Sequence, residues 1–254
     1  METGLEDKVV LVTGGAGGIG KTICRKFSEE GARVAVHFHT SSEEASSLAT
    51  EIGGAAFYAD LRIPSESDEM IHEIVSQMGS IDVCVANSGS YPPDSRPMWE
   101  IEEKRWNSTI MSNLGVTANT CRSFLSHASR RGSGSLVLVG STAGVYGEAG
   151  HSDYAAAKGA INTGLLLSLK NDVSQLGSVR VNAVAPGWTL TEKKAESGLD
   201  EEVMERAKST MALKKLATPE DVAMAILALS SDEVSGHITG QVIEVAGGME
   251  GRLV

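Results

Sequence analysis

The 254-residue chain carries 22 Lys and Arg against 33 Asp and Glu, a formal charge of −11, with 41% hydrophobic residues and three cysteines. That length suits one large core, while the acid surplus excludes a generic phosphate-binding surface for nucleic acid or anionic membrane. No apolar run approaches the roughly 20 residues that span a bilayer.

Short apolar runs recur along the chain at 9–12, 34–38, 55–59, 81–86, 136–139, 179–184 and 242–245. Each is nearly continuous in Val, Leu, Ile and Ala, the pattern of strands buried on both faces, and longer stretches of helical spacing separate them. The expectation is an α/β fold: one seven-stranded parallel sheet flanked by helices on both faces. No linker divides the chain, so 1–254 is read as a single domain. Two segments look like helix caps, Ser41-x-x-Glu44 and Thr218-Pro219-x-Asp221, the second with proline at the first helical position. Cys24, Cys84 and Cys121 are odd in number and far apart, without a Cys-x-x-Cys pair, so neither a disulfide frame nor a metal site is expected. Free thiols suit a reducing compartment, and a cytoplasmic location is the expectation.

The first strand runs into Thr13-Gly14-Gly15-Ala16-Gly17-Gly18-Ile19-Gly20 and then a helical stretch. Glycines at a strand-to-helix turn let the backbone approach a pyrophosphate, and the helix N-terminus supplies oriented N–H groups. The spacing is T-G-x-x-x-G-x-G, carried by Thr13, Gly14, Gly18 and Gly20. Further on stand Asp60-Leu61, Asn87-Ser88-Gly89, Asn113, Ser141, Tyr154 and Lys158, the last two four residues apart and therefore on one helix face.

These motifs resemble the short-chain dehydrogenase/reductase superfamily from about Leu5 to Gly248, and within it the 3-oxoacyl-carrier-protein reductase-like branch. Ala86 departs from the family's usual Asn before Asn87, and Thr189 from its usual branched apolar residue. The resemblance implies a Rossmann fold and an oxidoreductase that moves a hydride between a nicotinamide and a carbonyl or secondary alcohol. It implies Asn113, Ser141, Tyr154 and Lys158 as catalytic residues, with Asn113 holding a water. It also implies cofactor contacts at Gly14, Gly17, Gly18, Ile19, Gly20, Asp60, Leu61, Asn87, Gly89, Tyr154, Lys158, Pro186, Gly187, Thr189 and Thr191. An unperturbed phenol, with a pKa near ~10, is a poor base at neutral pH, and the Lys158 charge is expected to bring Tyr154 down. Ser141 is expected to donate to the substrate oxygen.

No acid stands at the end of the second strand, where an NAD enzyme of this kind places one against the ribose hydroxyls. His39, Thr40 and Ser41 could hold a 2′-phosphate, with Arg62 the nearby cation, so NADP(H) is expected over NAD(H). Gly17 stands against this, since many NADP-using relatives carry a basic residue there. The substrate pocket is sought among Ser90, Tyr91, Ala143, Val145, Tyr146, His151 and Trp188, beneath a lid at about 190–212. This apolar, partly aromatic set suits a free small-molecule ketone or alcohol. A carrier-borne 3-oxoacyl group is the alternative, docked on a basic surface including Arg130 and Arg131. Against it stand the net charge and the stretch Asn171-Asp172-Val173-Ser174-Gln175, where carrier-using relatives have an arginine. A regulator that binds NAD(P) without turnover is the alternative of another class. Small and apolar residues along 153–169 and the helix after Trp99 imply, through the resemblance, a homotetramer.

Overall fold

The computed structural model describes residues 2–191 and 201–249. Seven parallel strands form one sheet in the order β3-β2-β1-β4-β5-β6-β7: β1 (Val9–Val12), β2 (Arg33–Phe38), β3 (Ala55–Tyr58), β4 (Val83–Ala86), β5 (Ser133–Val139), β6 (Ser178–Pro186) and β7 (Val242–Val245). Every expected strand is present. The fourth begins at Val83 and not at residue 81, although Asp82 N–H still pairs with Val9 O at the sheet margin.

Side-chain alternation divides the core in two. Val9 and Leu11 join Leu136, Leu138 and Val181 on one face, while Val10 and Val12 join Val34, Val36, Val137 and Val184 on the other. The second face is covered by α1 (Gly18–Glu29), α2 (Ser42–Glu51) and α10 (Pro219–Ser230) through Ile23, Phe27, Leu48 and Ile226. The first is covered by α3 (Pro64–Met78) and by two long interrupted helices. In one, α4 (Glu103–Ile110) passes through a π turn (Met111–Gly115) into α5 (Val116–Arg131). In the other, α7 (Ser152–Ala160) passes through a π turn (Ile161–Leu165) into α8 (Leu166–Asp172). Short helices α6 (Ala143–Tyr146), α9 (Glu201–Ser209) and α11 (Asp232–Ser235) complete the set among the described residues.

The cap at Thr218 forms as a full capping box with Asp221. Ser41 does occupy the N-cap of α2, but its hydroxyl makes no capping bond. Its ψ of 63° is not the extended geometry that aims an N-cap oxygen at the helix amides, as Thr218 with ψ 161° does.

Strand order reverses beside β1, since β2 lies on one side of it and β4 on the other. The connections from β1 and β4 leave in opposite directions, and a crevice opens at the carboxyl ends of the strands, where open α/β sheets bind ligands.

Candidate active site

A cleft of about 710 Å³ runs along that edge, from Asp60 beyond β3, past the glycine turn after β1, to Tyr154. At its middle the turn is shaped by close approach: Gly14 has φ +63°, and a Cβ on Gly20 would lie 2.2 Å from Gly14 O. Helix α1 has no side-chain cap and no acid in its first turn, so its leading N–H groups face the cleft with the positive end of the dipole. Thr13 ties the turn to β4, its Oγ1 accepting from the N–H groups of Asn87 and Ser88 at 2.9 and 3.0 Å. The Asn87 amide donates back to Thr13 O at 2.9 Å.

His37 is a residue the sequence reasoning missed. Buried in β2, it accepts the Gly14 N–H on Nδ1 at 2.9 Å, so the proton sits on Nε2, which donates to Ala59 O at 3.0 Å. Burial pushes its pKa down to about 4. A polar residue inside an otherwise apolar run was the available signal.

At the end of the cleft beyond β2 and β3 lie His39, Thr40, Ser41, Asp60, Leu61 and Arg62. The Arg62 guanidinium grips Asp60 through two nitrogens, at 2.8 and 2.6 Å, and holds its carboxyl down to about 2. His39 stacks on Tyr58 at 6.1 Å. Glu43 and Glu44, in the first turn of α2, line a separate groove with Lys21 and Arg25.

At the far end Ser141, just beyond β5, meets Tyr154 and Lys158 of α7. The Ser141 hydroxyl hydrogen-bonds the Tyr154 phenol and accepts the Ala143 N–H at 3.2 Å. Lys158 is buried, its Nζ 5.7 Å from the Tyr154 ring centroid and donating to Val139 O at 2.9 Å. Burial lowers the Lys158 ammonium to about 8 and raises Tyr154 to about 12, with Glu148 adding to the rise and the Ser141 bond opposing it. The expectation that Lys158 brings Tyr154 down is therefore corrected: desolvation outweighs every favourable neighbour.

Asn113 sits within the first π turn, fully buried. Its Nδ2 donates to Ser90 O at 2.9 Å and Thr109 O at 3.0 Å, and its Oδ1 accepts the Ser90 N–H. Both amide hydrogens are thus used within the chain, so the expected water cannot be held through them. Asn113 brackets the loop after β4.

Gly17, Gly18, Ile19, Gly89, Pro186, Gly187, Thr189 and Thr191 all line the cleft as expected, and so do Ser90 and Tyr91. Ala143, Val145, Tyr146, His151 and Trp188 do not reach it. Tyr146 points its hydroxyl to Glu244 at 2.8 Å. His151 stacks on Tyr91 with centroids 4.6 Å apart, and Tyr91 in turn meets Tyr154 edge-to-face at 5.1 Å. The Trp188 carbonyl accepts the Ala217 N–H at 3.0 Å. Of the expected lid, residues 192–200 lie outside the described residues, and the following part is the largely exposed helix α9.

The cleft fits a nicotinamide dinucleotide on two observations. The uncapped α1 terminus offers N–H groups for a pyrophosphate. Lys158, a buried ammonium with three hydrogens, has one acceptor among the described residues, Val139 O, and lines the cleft.

Comparison with known proteins agrees. A family model described as enoyl-(acyl carrier protein) reductase matches residues 14–250. A 3-oxoacyl-[acyl-carrier-protein] reductase of Thermotoga maritima is 36% identical over 255 residues, covering 96% of this chain and 98% of that protein. The protein of the same name from Chlamydia muridarum is 34% identical, covering 98% of this chain and all of its own length, and that of Staphylococcus aureus 33%, covering 95% and 98%. Motif, fold, cleft and relatives converge: the chain belongs to the short-chain dehydrogenase/reductase family and is a nicotinamide-dependent oxidoreductase acting on carbonyl and alcohol groups.

Proposed function

We propose that the chain is an NADPH-dependent ketone reductase in which Tyr154 is the general acid/base. The observation that carries this reading is the pairing of Tyr154 with Ser141 beside the buried Lys158 ammonium, all in the cleft that holds the glycine turn. A phenol raised to about 12 keeps its proton at neutral pH, the state needed to protonate the oxygen of a ketone as it becomes an alkoxide. Ser141 Oγ–H supplies a second donor to that oxygen. A bound nicotinamide would supply the hydride. In this reading Lys158 would hold the adjoining ribose hydroxyls, Gly14, Gly17, Gly18, Ile19 and Gly20 the pyrophosphate, and Asp60 and Leu61 the adenine. Pro186, Gly187, Thr189 and Thr191 would serve the carboxamide, and Asn87, Gly89 and Asn113, which line the same cleft, would complete the cofactor's surroundings.

NADPH is preferred to NADH because no carboxylate stands at the end of β2, while His39, Thr40, Ser41 and Arg62 face the cleft there. Glu43 and Glu44 turn into the neighbouring groove with Lys21 and Arg25, which lessens their repulsion of a 2′-phosphate. Tyr91, flat and half exposed at 50%, is the wall for the substrate. The relatives' names favour a second reading, a 3-oxoacyl group on a carrier protein. A cytoplasmic homotetramer is in keeping with three free buried cysteines and with Met98, Trp99 and Leu167 exposed on the helical face.

The test is a panel of ethyl acetoacetate, acetoacetyl-coenzyme A and a carrier-bound acetoacetyl group, each with NADPH and NADH, following reduced-nicotinamide absorbance. Higher kcat/KM with NADPH is expected, and Tyr154→Phe lowers kcat by about 10²–10⁴-fold. Full activity of Tyr154→Phe overturns the mechanism. A clear advantage for NADH overturns the cofactor assignment.

A further inference from the structure

Two π turns interrupt the long helices, and the site described above uses only the one that carries Asn113. The other, Ile161–Leu165, begins three residues after Lys158 and holds Asn162, which is 3% exposed. Insertions of this kind gather at functional sites. Asn162 Nδ2 donates to the main-chain carbonyl of Ser141 at 2.8 Å. Its Oδ1 is buried without a hydrogen-bond partner among the described residues. A buried amide bonded at one end only is poorly explained by packing, because leucine, of the same branched four-atom shape, would leave no orphaned oxygen.

The strand exit is shaped around this side chain. A Cβ on Gly140 would lie 1.7 Å from Asn162 Oδ1 and 2.8 Å from its Cγ. Glycine is therefore required at 140 by close approach. The same helix grips the same segment twice more. Lys158 Nζ holds Val139 O, and a Cβ on Gly144 would lie 2.4 Å from Gly159 N, so the two backbones touch there. The spacing explains the double hold: four helical residues rise ~6 Å, close to the ~6.6 Å between carbonyls two residues apart in extended chain, so Lys158 and Asn162 meet the carbonyls of 139 and 141 in step.

We propose that Asn162 is a positioning residue: by holding the Ser141 carbonyl it aims the Ser141 hydroxyl at Tyr154 and at the substrate oxygen. The inference rests on the reductase reading above and deepens it. Ser141 would then be fixed at both ends, its carbonyl by Asn162 and its Oγ by the Ala143 N–H.

The experiment compares Asn162→Leu, Ser141→Ala, Gly140→Ala and the pair Gly140→Ala/Asn162→Ala with the native enzyme, using NADPH and the fastest ketone of the panel. Asn162→Leu is expected to lower kcat about tenfold or more, within the range lost with a misplaced oxyanion donor, and to leave KM for NADPH and the melting temperature near native. The limb of the pH profile that reports Tyr154 moves to higher pH, because the bond from Ser141 opposes the rise in the phenol's pKa. Native kcat with a native profile in folded Asn162→Leu overturns the proposal, as does a loss of kcat with an unmoved limb. If Asn162→Leu does not fold, the cycle decides. Gly140→Ala must displace the amide, so in the Asn162→Ala background it should cost nothing further; losses that multiply overturn the proposal. Ser141→Ala separates the two readings. Undiminished kcat there defeats the role given to Ser141 in the reaction, whereas a loss in Ser141→Ala with none in Asn162→Leu defeats only the role given to Asn162.

Discussion

The imidazole of His37 joins three segments, the glycine turn, β2 and the end of β3, and it can do so only when neutral. Nδ1 must keep its lone pair for the Gly14 N–H, and burial holds the group down to about 4 against an ordinary value near 6.5. The unfolded chain takes up a proton as pH falls through ~6.5 and the folded chain does not until about 4. Stability is therefore full above ~6.5 and lost between those values, about 3 kcal/mol in all. Urea unfolding at pH 7 and pH 5 should show this, and His37→Asn, which cannot charge, should flatten the difference; equal slopes for both proteins would refute it. Lys158 sets the opposite limit. Its ammonium, lowered to about 8, is charged below that pH, so NADPH affinity is expected to weaken as pH rises past about 8, measurable by titrating the cofactor across that range. The family resemblance disclosed Ser141, Tyr154 and Lys158, and the four-residue spacing of the last two put them on one helix face. The direction of the Tyr154 shift was not legible, since it depends on how much protein surrounds the phenol.

Among elements, the strands were the most legible. Strands buried on both faces become unbroken apolar runs, and Val83–Ala86 or Val9–Val12 could hardly be anything else. Caps were half legible. Ser41 and Thr218 share one pattern, yet only Thr218 bonds its helix, because the pattern does not encode the ψ angle at the cap. Thr218→Ala should destabilise the protein by about 1 kcal/mol and Ser41→Ala by almost nothing, read as the shift in thermal midpoint. Equal shifts would show that the pattern alone decides. The π turns were not legible at all. One extra residue in a helical ladder shifts the apolar phase by ~100°, a skip that short segments such as Glu103–Ile110 and Ser152–Ala160 do not separate from ordinary scatter, and yet those turns carry Asn113 and Asn162.

At the scale of the molecule, the sheet separates two rims. Arg130 and Arg131 end α5 at the amino end of β5, whereas Ser141 follows its carboxyl end, about 23 Å away for seven residues of strand. Arg131 is also tied to Ile81 O and to Asp82. Within one protomer the arginine pair therefore lies at the rim opposite Ser141. Trp99, shortly before α4, is 85% exposed, in keeping with the tetramer proposed above. Sedimentation equilibrium should find a tetramer that Trp99→Glu reduces to smaller species; a native monomer would refute this.

The central position of β1 also has a consequence in time. Val9 is bonded to Asp82, 73 residues further along the chain, and until β4 exists β1 has a partner on one side only. At ~5–20 residues per second on the ribosome, the nascent glycine turn waits about 4–15 s for the strand that Thr13 and Asn87 fasten it to. Closing so long a loop is slow in refolding as well. During that interval an apolar strand edge stands open, so the yield of refolded enzyme should fall as protein concentration rises.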